Sequence, residues 1–270
     1  MNTPESLGTP ALLPLRALYA LWVLAAFLVI GLVALALLIV LPRLTQRRRA
    51  ARALARGFLS AVGMPLRVKF AERLPAGQCV IACNHSSYLD GIVLTAALPP
   101  RFAFVIKREM AHFPLAGALL KRLGSEFVER FNRQRSAADA RRVLRNATLG
   151  GSVVFFPEGT FTRAPGLLKF HAGAFVTAVR VGCPLVPAVV RGTRRALPPN
   201  LGMPLPGAIE LELLPVLEAP GDGQHAVSQL RDRARAAILE ALGEPDLTCC
   251  DDTDRPPDTE RVRSAPASRP

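Results

Sequence analysis

The chain passes from an apolar run, Cys79-Val80-Ile81-Ala82-Cys83, directly into the polar stretch Asn84-His85-Ser86-Ser87-Tyr88-Leu89-Asp90. A five-residue apolar run between polar residues predicts a buried strand, so His85 falls where that strand ends. Such positions often carry functional side chains. If residues 85 to 90 were all helical, the side chains of His85 and Asp90 would point roughly 140° apart. A turn between them would instead return the carboxylate to the ring.

A histidine backed by a carboxylate can act as a general base. The aspartate accepts the Nδ1 hydrogen and fixes the tautomer, which leaves Nε2 free to take a proton from an attacking hydroxyl. The same spacing also fits a helix cap and an ordinary hydrogen-bonded histidine. The pair alone therefore does not decide between catalysis and structure.

The composition predicts one substantial domain with a basic surface. Half of the 270 residues are hydrophobic, and 34 Lys and Arg against 21 Asp and Glu give a formal charge of +13. This length favours one catalytic domain with attachments. The excess of positive charge indicates an anionic partner: lipid headgroups, a phosphorylated substrate or nucleic acid.

The segment from Ala17 to Leu41 contains no charged residue. As a helix it would be about 37 Å long, enough to span or embed in a hydrocarbon layer about 30 Å thick. A cleaved secretory signal is the alternative, but the apolar stretch is too long and its positive charges follow it. Those arginines predict that the rest of the chain is cytoplasmic, at the inner face of a bacterial membrane.

Residues 42–63 combine arginines with apolar residues at helical spacing. This pattern predicts a basic amphipathic helix in the headgroup layer, and an ordinary core-facing helix is the alternative. Nucleic acid is the less favoured partner, because the charges adjoin a membrane segment and aromatic residues are sparse. We thus divide the chain into an N-terminal tail (1–16), a membrane helix (17–41), this helix (42–63), a catalytic domain (64–245) and a disordered tail (246–270).

Beyond Gly63, short apolar runs alternate with helical patterns. This alternation predicts an α/β domain with a mixed, largely parallel sheet flanked by helices. The predicted strands are Leu66–Phe70, Cys79–Cys83, Phe102–Ile106, Glu126–Val128, Ser152–Phe156, Leu185–Val190 and Ile209–Leu214. The predicted helices are Leu89–Leu98, Leu115–Leu123, Ser136–Leu149, Gly173–Val181 and His225–Leu242.

Further polar motifs follow three of these strands. Lys107 and Arg130 follow the strands that begin at Phe102 and Glu126, and Glu158-Gly159-Thr160 follows the strand that begins at Ser152, with Arg163 shortly after. The carboxyl ends of parallel strands meet at one edge of a sheet, where ligand sites form. A glycine with positive φ could turn backbone amides and the Thr160 hydroxyl toward a phosphate. Each motif alone also fits a simple turn or a solvated cation.

The five cysteines give an odd count, which argues against disulfides in a cytoplasmic domain. Cys79 and Cys83 precede His85, a combination that could suggest a zinc site. No second Cys or His pair follows at finger spacing, and core thiols are favoured. We expect neither a metal nor a cofactor.

In this order, and behind a membrane segment, the motifs resemble those of the glycerophospholipid acyltransferase family, in particular the bacterial lysophosphatidic acid (1-acyl-sn-glycerol-3-phosphate) acyltransferases. The resemblance covers about residues 66 to 191. The first block is Asn84-His85 with Asp90, and the second is 107–117 with Gly124, Phe127 and Arg130. The third is 156–160, and the fourth is Val186-Pro187.

The resemblance implies acyl transfer from a thioester, on coenzyme A or acyl carrier protein, to the free hydroxyl of a lysolipid. His85 would be the base and Asp90 its orienting partner. The implied substrate-binding residues are Asn84, Lys107, Arg130, Glu158, Gly159, Thr160 and Arg163. Partners would be the two substrates and membrane lipids, without nucleic acid.

One departure concerns the acceptor. Many family members carry Arg directly after Glu-Gly-Thr, but this chain has Phe161 there and Arg163 two residues later. The first candidate acceptor is 1-acyl-glycerol-3-phosphate, which would give phosphatidic acid. Another lysolipid, such as a lyso-ornithine lipid, is the alternative. A non-catalytic membrane-binding or nucleic-acid-binding protein is the remote alternative, since such a protein needs no base beside a carboxylate.

Overall fold

The computed structural model describes residues 13–129, 133–199 and 202–248. The helices are α1 (Leu13–Val40), α2 (Leu44–Ala61), α3 (Asp90–Ala97), α4 (Pro114–Arg122), α5 (Arg133–Thr148), α6 (Gly173–Val181), α7 (Thr193–Ala196) and α8 (Gly223–Leu242). The strands are β1 (Leu66–Lys69), β2 (Val80–Cys83), β3 (Phe102–Lys107), β4 (Glu126–Val128), β5 (Ser152–Phe155), β6 (Leu185–Arg191) and β7 (Ile209–Leu213). Short 3-10 turns occupy Ala71–Arg73 and Arg108–His112.

The strands form one mixed sheet in the order β1-β7-β6-β2-β5-β3-β4. Strands β6, β2, β5, β3 and β4 run parallel, while β7 is antiparallel to β6 and parallel to β1. The predicted α/β architecture is therefore confirmed. Because five neighbouring strands share one direction, the polar motifs that follow β2, β5 and β3 come to one edge of the sheet.

Strand β2 lies at the centre of the core. Cys79, Ile81 and Cys83 join the apolar cluster that α2 and α3 cover, whereas Val80 and Ala82 join the cluster under α6 and α8. Burial on both faces explains the continuous apolar sequence of this strand. Burial also raises the pKa of the Cys79 thiol to about 11, which keeps it neutral.

All the predicted strands and helices occur, with ends that differ by at most four residues. The sequence analysis missed helix α7, which has a single turn, and both 3-10 turns. Such short elements bury too few side chains to produce a periodic pattern.

Helix α1 is long and apolar enough to cross a membrane and begins at Leu13, four residues before the predicted start. It packs on α2, where the Tyr19 hydroxyl donates to the Val62 carbonyl at 2.5 Å and the Trp22 indole donates to the Ala61 carbonyl at 3.1 Å. Gly31 faces Leu115 of α4, where a Cβ would come within 2.9 Å of that side chain. The opposite face of α1 exposes a row of large apolar side chains.

The arginines of α2 correct one prediction. We expected this helix to present its basic face to lipid, but α2 packs on α3, and Arg52 donates to the carbonyls of Ala96 and Ala97 at the carboxyl end of α3. Arg56 donates to the Ala96 carbonyl at 2.8 Å, and Arg48 donates to two further carbonyls. The guanidiniums of Arg52 and Arg56 satisfy carbonyls at the end of α3 that have no partner within their own helix. Two arginines at the start of the segment, Arg43 and Arg49, remain exposed.

The packed domain extends three residues beyond the predicted boundary at 245. The Leu247 amide donates to the Leu167 carbonyl at 3.1 Å, and Asp246 forms an ion pair with Arg235 of α8. The predicted tail from residue 249 onward lies outside the described residues, as does the predicted N-terminal tail through residue 12.

Candidate active site

The turn after β2 brings the Asp90 carboxylate to the His85 ring. His85 Nδ1 and Asp90 Oδ2 are 2.8 Å apart, and Asp90 is fully buried. The backbone amides of Ser86 and Ser87 also donate to Oδ2, at 2.6 and 2.9 Å. Asp90 is the first residue of α3, so these amides and the helix start favour its negative charge. The arrangement holds the Nδ1 proton toward Asp90 and leaves Nε2 as a proton acceptor.

Glu158 supports the backbone of this turn. Its Oε1 accepts the His85 amide hydrogen at 2.6 Å and its Oε2 accepts the Leu168 amide hydrogen at 2.9 Å. Burial raises the pKa of this carboxyl to about 7, although the two amide donors act in the opposite direction. We predicted that Glu158 would bind substrate, but both of its oxygens already accept protein hydrogen bonds and the residue is 4% exposed. Its contacts assign it to positioning His85.

Asn84 also differs from its predicted role in substrate binding. Its side chain exchanges two hydrogen bonds with the backbone of Val190 in β6, at 2.7 and 3.1 Å, and it is 1% exposed. The Ser87 hydroxyl donates to the Leu197 carbonyl at 2.8 Å, just after α7. A fully buried amide that bonds to backbone on a neighbouring strand has no face left for a ligand. Asn84 therefore fixes the end of β2 against β6.

Aromatic rings enclose the imidazole. The Phe156 ring stacks on the His85 ring with centroids 4.3 Å apart and an interplanar angle of 21°. The Phe161 ring meets the His85 ring nearly edge-on, at 4.5 Å and 70°, and contacts the ring of the exposed Tyr88 at 4.9 Å. The sequence analysis missed these contacts and treated Phe161 only as a departure from the family pattern. The available signal was a phenylalanine on each side of Pro157-Glu158-Gly159-Thr160.

The loop after β5 lies beside His85 because β5 pairs with β2. Gly159 has a φ of +76°, and its amide donates to the Phe156 carbonyl at 3.0 Å. The positive φ is the conformation predicted for this glycine. Thr160 and Arg163 are exposed on this loop, on either side of Phe161, which contacts the His85 ring. The loop can therefore present a hydroxyl and a guanidinium next to His85.

Lys107 ends β3, the next strand beyond β5. Two strand spacings place it about 10 Å from the end of β2 along the sheet edge. Its ammonium lies 3.7 Å from the Glu109 carboxylate, and its side chain is 35% exposed. Arg130, the other predicted cation, lies outside the described residues. Lys107 thus lies at the same edge of the sheet as His85.

A cation that the sequence analysis missed follows β6. Arg194, in helix α7, pairs with Glu244 at 2.6 Å, and its positive charge acts to lower the pKa of Glu158. The signal was the stretch Arg191-Gly192-Thr193-Arg194 at a strand exit. Among the residues that the structure describes, no group of three or more His, Cys, Asp and Glu side chains is placed to hold a metal ion.

Part of this sequence is similar to known proteins. A family model described as Acyltransferase matches residues 65–191. The 1-acyl-sn-glycerol-3-phosphate acyltransferase of Salmonella typhimurium is 28% identical over 171 residues, which is 63% of this chain and 69% of that protein. The Pseudomonas aeruginosa protein of the same name is 28% identical over 186 residues, 67% of this chain and 70% of that one.

The fold has a solved counterpart. The crystal structure of the 1-acyl-sn-glycerophosphate (LPA) acyltransferase PlsC from Thermotoga maritima matches with a TM-score of 0.70 and 19% identity, over 85% of this chain and 94% of that chain. The likeness in fold places the same layers around the same sheet. The matched family model and the similar bacterial sequences identify residues 65–191 as an acyltransferase domain.

Proposed function

We propose that this protein transfers a fatty acyl group from a thioester to the free hydroxyl of a lysophospholipid, with 1-acyl-glycerol-3-phosphate as the first candidate acceptor and phosphatidic acid as its product. The donor would be acyl-CoA or acyl-acyl carrier protein. The observation that carries the proposal is the 2.8 Å contact between His85 Nδ1 and the buried Asp90 carboxylate. The names of the similar bacterial proteins support this choice of acceptor.

In the proposed reaction, His85 Nε2 takes the proton of the acceptor hydroxyl while its oxygen attacks the thioester carbonyl. Asp90 stabilises the imidazolium that forms, because its Oδ2 lies 2.8 Å from Nδ1. The carbon–sulfur bond then breaks, and Nε2 returns the proton to the thiolate that leaves. Direct attack by the acceptor needs no covalent acyl-enzyme. This agrees with the lack of a Gly-x-Ser-x-Gly elbow in the sequence.

The acceptor headgroup would lie over the loop after β5. Arg163 is exposed there, two residues from the Phe161 ring that contacts His85, and Thr160 is exposed beside it. A guanidinium can bind two phosphate oxygens at once, and a hydroxyl can donate to a third. Lys107 and Arg130, after the neighbouring strands, are further candidate cations for the same anion.

The proposed location is a membrane surface, reached through α1. Its outer face exposes apolar side chains along most of the helix, while its inner face packs on α2 and α4. An exposed apolar surface along a helix of this length is unfavourable in water and favourable in lipid. The acceptor is itself a membrane lipid, so an anchor on the catalytic domain would hold the site at the substrate's surface. The excess of arginine just after α1 supports the cytoplasmic side.

A second candidate is an acyltransferase for another lysolipid, such as a lyso-ornithine lipid. The observation that favours it is the apolar Phe161 against the base, where many family members carry a cation. An acceptor without a phosphate monoester would lose less binding affinity from the presence of phenylalanine instead of a cation at this position.

A panel assay distinguishes these candidates. Purified full-length protein in detergent is supplied with each lysolipid in turn, with acyl-CoA or acyl-acyl carrier protein, and the diacyl product is measured by mass spectrometry. We expect phosphatidic acid from 1-acyl-glycerol-3-phosphate, and none from the His85→Ala variant. Product from another lysolipid alone would select the second candidate. A full panel without product, from a protein that is folded, would overturn the proposed activity.

A further inference from the structure

The imidazole of His85 is closed on three sides. Asp90 occupies Nδ1, Phe156 covers one ring face, and Phe161 approaches the ring at a steep angle. The His85 side chain consequently retains only 19% of its accessible surface. The ring is therefore largely covered by its neighbours, and solvent reaches only a small part of it.

Restricted access matters because the base cannot distinguish an acceptor hydroxyl from water by chemistry alone. If water reached Nε2, the nitrogen would take its proton, and the water oxygen would attack the thioester carbonyl. The carbon–sulfur bond would break and the proton would return to the thiolate, which gives a free fatty acid and a free thiol. This hydrolysis needs no further reactant and would waste the donor, so a transferase with such a base must exclude water sterically.

We propose that Phe161, supported by Tyr88, is the specificity-determining residue that keeps water from His85 Nε2 and so makes the enzyme a transferase rather than a thioester hydrolase. This inference rests on the proposed acyl transfer and adds the cause of its selectivity. Tyr88 is 55% exposed, and its ring meets the Phe161 ring at 87°, so it covers the outer side of Phe161. The lysolipid, which has an apolar body, can replace water against these aromatic surfaces.

Phe161 suits this role better than Phe156. Phe156 directly follows β5 and packs against the main core cluster, so its removal would also disturb the sheet. Phe161 lies on the loop after Gly159, and its ring contacts the rings of His85 and Tyr88. Its removal would open the base while leaving the strand and the Asp90 contact in place.

The test compares two rates in the Phe161→Ala variant of the full-length protein in detergent. Thiol release from acyl-CoA without acceptor measures hydrolysis, and diacyl product with acceptor measures transfer. We expect the ratio of hydrolysis to transfer to rise by about 10-fold or more. The loss of one apolar contact typically changes the discrimination between two substrates by about this factor. The excess hydrolysis should disappear in the His85→Ala/Phe161→Ala double variant, because it uses the same base. Phe161→Tyr, which keeps the ring, should retain the wild-type ratio.

Phe70→Ala is the matched control, since it removes the same ring from a partly exposed position after β1, at the opposite edge of the sheet. Its ratio should equal that of the wild type. Thermal unfolding checks each variant, and Phe161→Leu takes the place of the alanine variant if that protein unfolds. An unchanged ratio in a folded, transferring variant would overturn the inference and leave the proposed function intact. Failure of the wild type to transfer to any lysolipid would instead overturn the proposed function.

Discussion

Replacing Asp90 by Asn separates the charge of this carboxylate from its geometry. Oδ2 accepts three hydrogen bonds, from His85 Nδ1 and from the amides of Ser86 and Ser87, whereas the buried Oδ1 has no partner. An asparagine should therefore place its oxygen at the Oδ2 position, where two fixed backbone donors require an acceptor. Its amino group would take the position of Oδ1. His85 would then keep its Nδ1 proton and its tautomer.

The Asp90→Asn variant should lose only the part of the turnover rate that the negative charge of the carboxylate provides. An asparagine that forces the wrong histidine tautomer costs about 10,000-fold in turnover in the serine protease triad. Here the two backbone amides should prevent that flip, so we expect the lower end of the range for general base catalysis, about 100-fold in kcat. Asp90→Ala removes both charge and orientation and should approach 10,000-fold. The Michaelis constants of both substrates should change little, because Asp90 does not face them.

The assay is steady-state acyl transfer by purified wild type, Asp90→Asn and Asp90→Ala, with thermal unfolding of each protein. The aspartate and asparagine proteins should unfold at similar temperatures, since the same oxygen accepts the same amides. Two results would refute the reasoning. An asparagine variant as slow as the alanine variant would show that the amides do not fix its orientation, and one as fast as the wild type would remove the charge from the mechanism.

Three further predictions concern the acceptor, the supporting carboxyl and the basic helix. Arg163→Ala should raise the Michaelis constant of a phosphate-bearing acceptor by about 10-fold to 150-fold and leave that of the thioester unchanged. Arg163→Lys should recover part of this loss. Unchanged acceptor kinetics in Arg163→Ala would favour an uncharged or zwitterionic lysolipid. Because the pKa of Glu158 is raised to about 7, its buried carboxylate should lower the free energy of unfolding by about 3 kcal/mol as pH rises from about 4.5 to 7. That dependence, measured by denaturant titration, should flatten in Glu158→Gln, and equal slopes in both proteins would contradict it. Arg52→Ala should lower the free energy of unfolding by roughly 1.5 to 3 kcal/mol, because its hydrogen bonds to α3 are lost. Arg49→Ala should leave the free energy of unfolding unchanged and should weaken flotation with anionic vesicles at low salt. The reverse pattern would show that Arg52 faces the lipid.

The main elements and the contact between His85 and Asp90 could be predicted because their causes are local. Strand β2 is buried on both faces, so its sequence is continuously apolar, and its polar end marks the site. Parallel strands then bring the later motifs to the same edge. The spacing from His85 to Asp90 required a turn, and the structure has one, with Asp90 at the start of α3.

The rest depends on contacts between distant segments, which spacing does not encode. Helical periodicity placed Arg52 opposite the apolar face of α2, but a long arginine side chain can turn back to carbonyls of a neighbouring helix. Glu158 was placed at a turn, yet its burial depends on the path of the loop through Leu168. The approach of Phe161 to His85 likewise depends on that loop. The sequence analysis noted Phe161 only because it stands where many family members have an arginine, and the structure places its ring against that of His85.

The most direct test of the account is the turnover of His85→Ala with acyl-CoA and the acceptor that the wild type prefers. His85 lies in the turn after β2, and Asp90 keeps its two backbone donors without the ring, so the variant should fold with little change in unfolding temperature. We predict that the turnover rate of acyl transfer falls by about 100-fold to 10,000-fold or more, which is the usual contribution of a general base. Full turnover in a well-folded His85→Ala protein would contradict the assignment of His85 as the base.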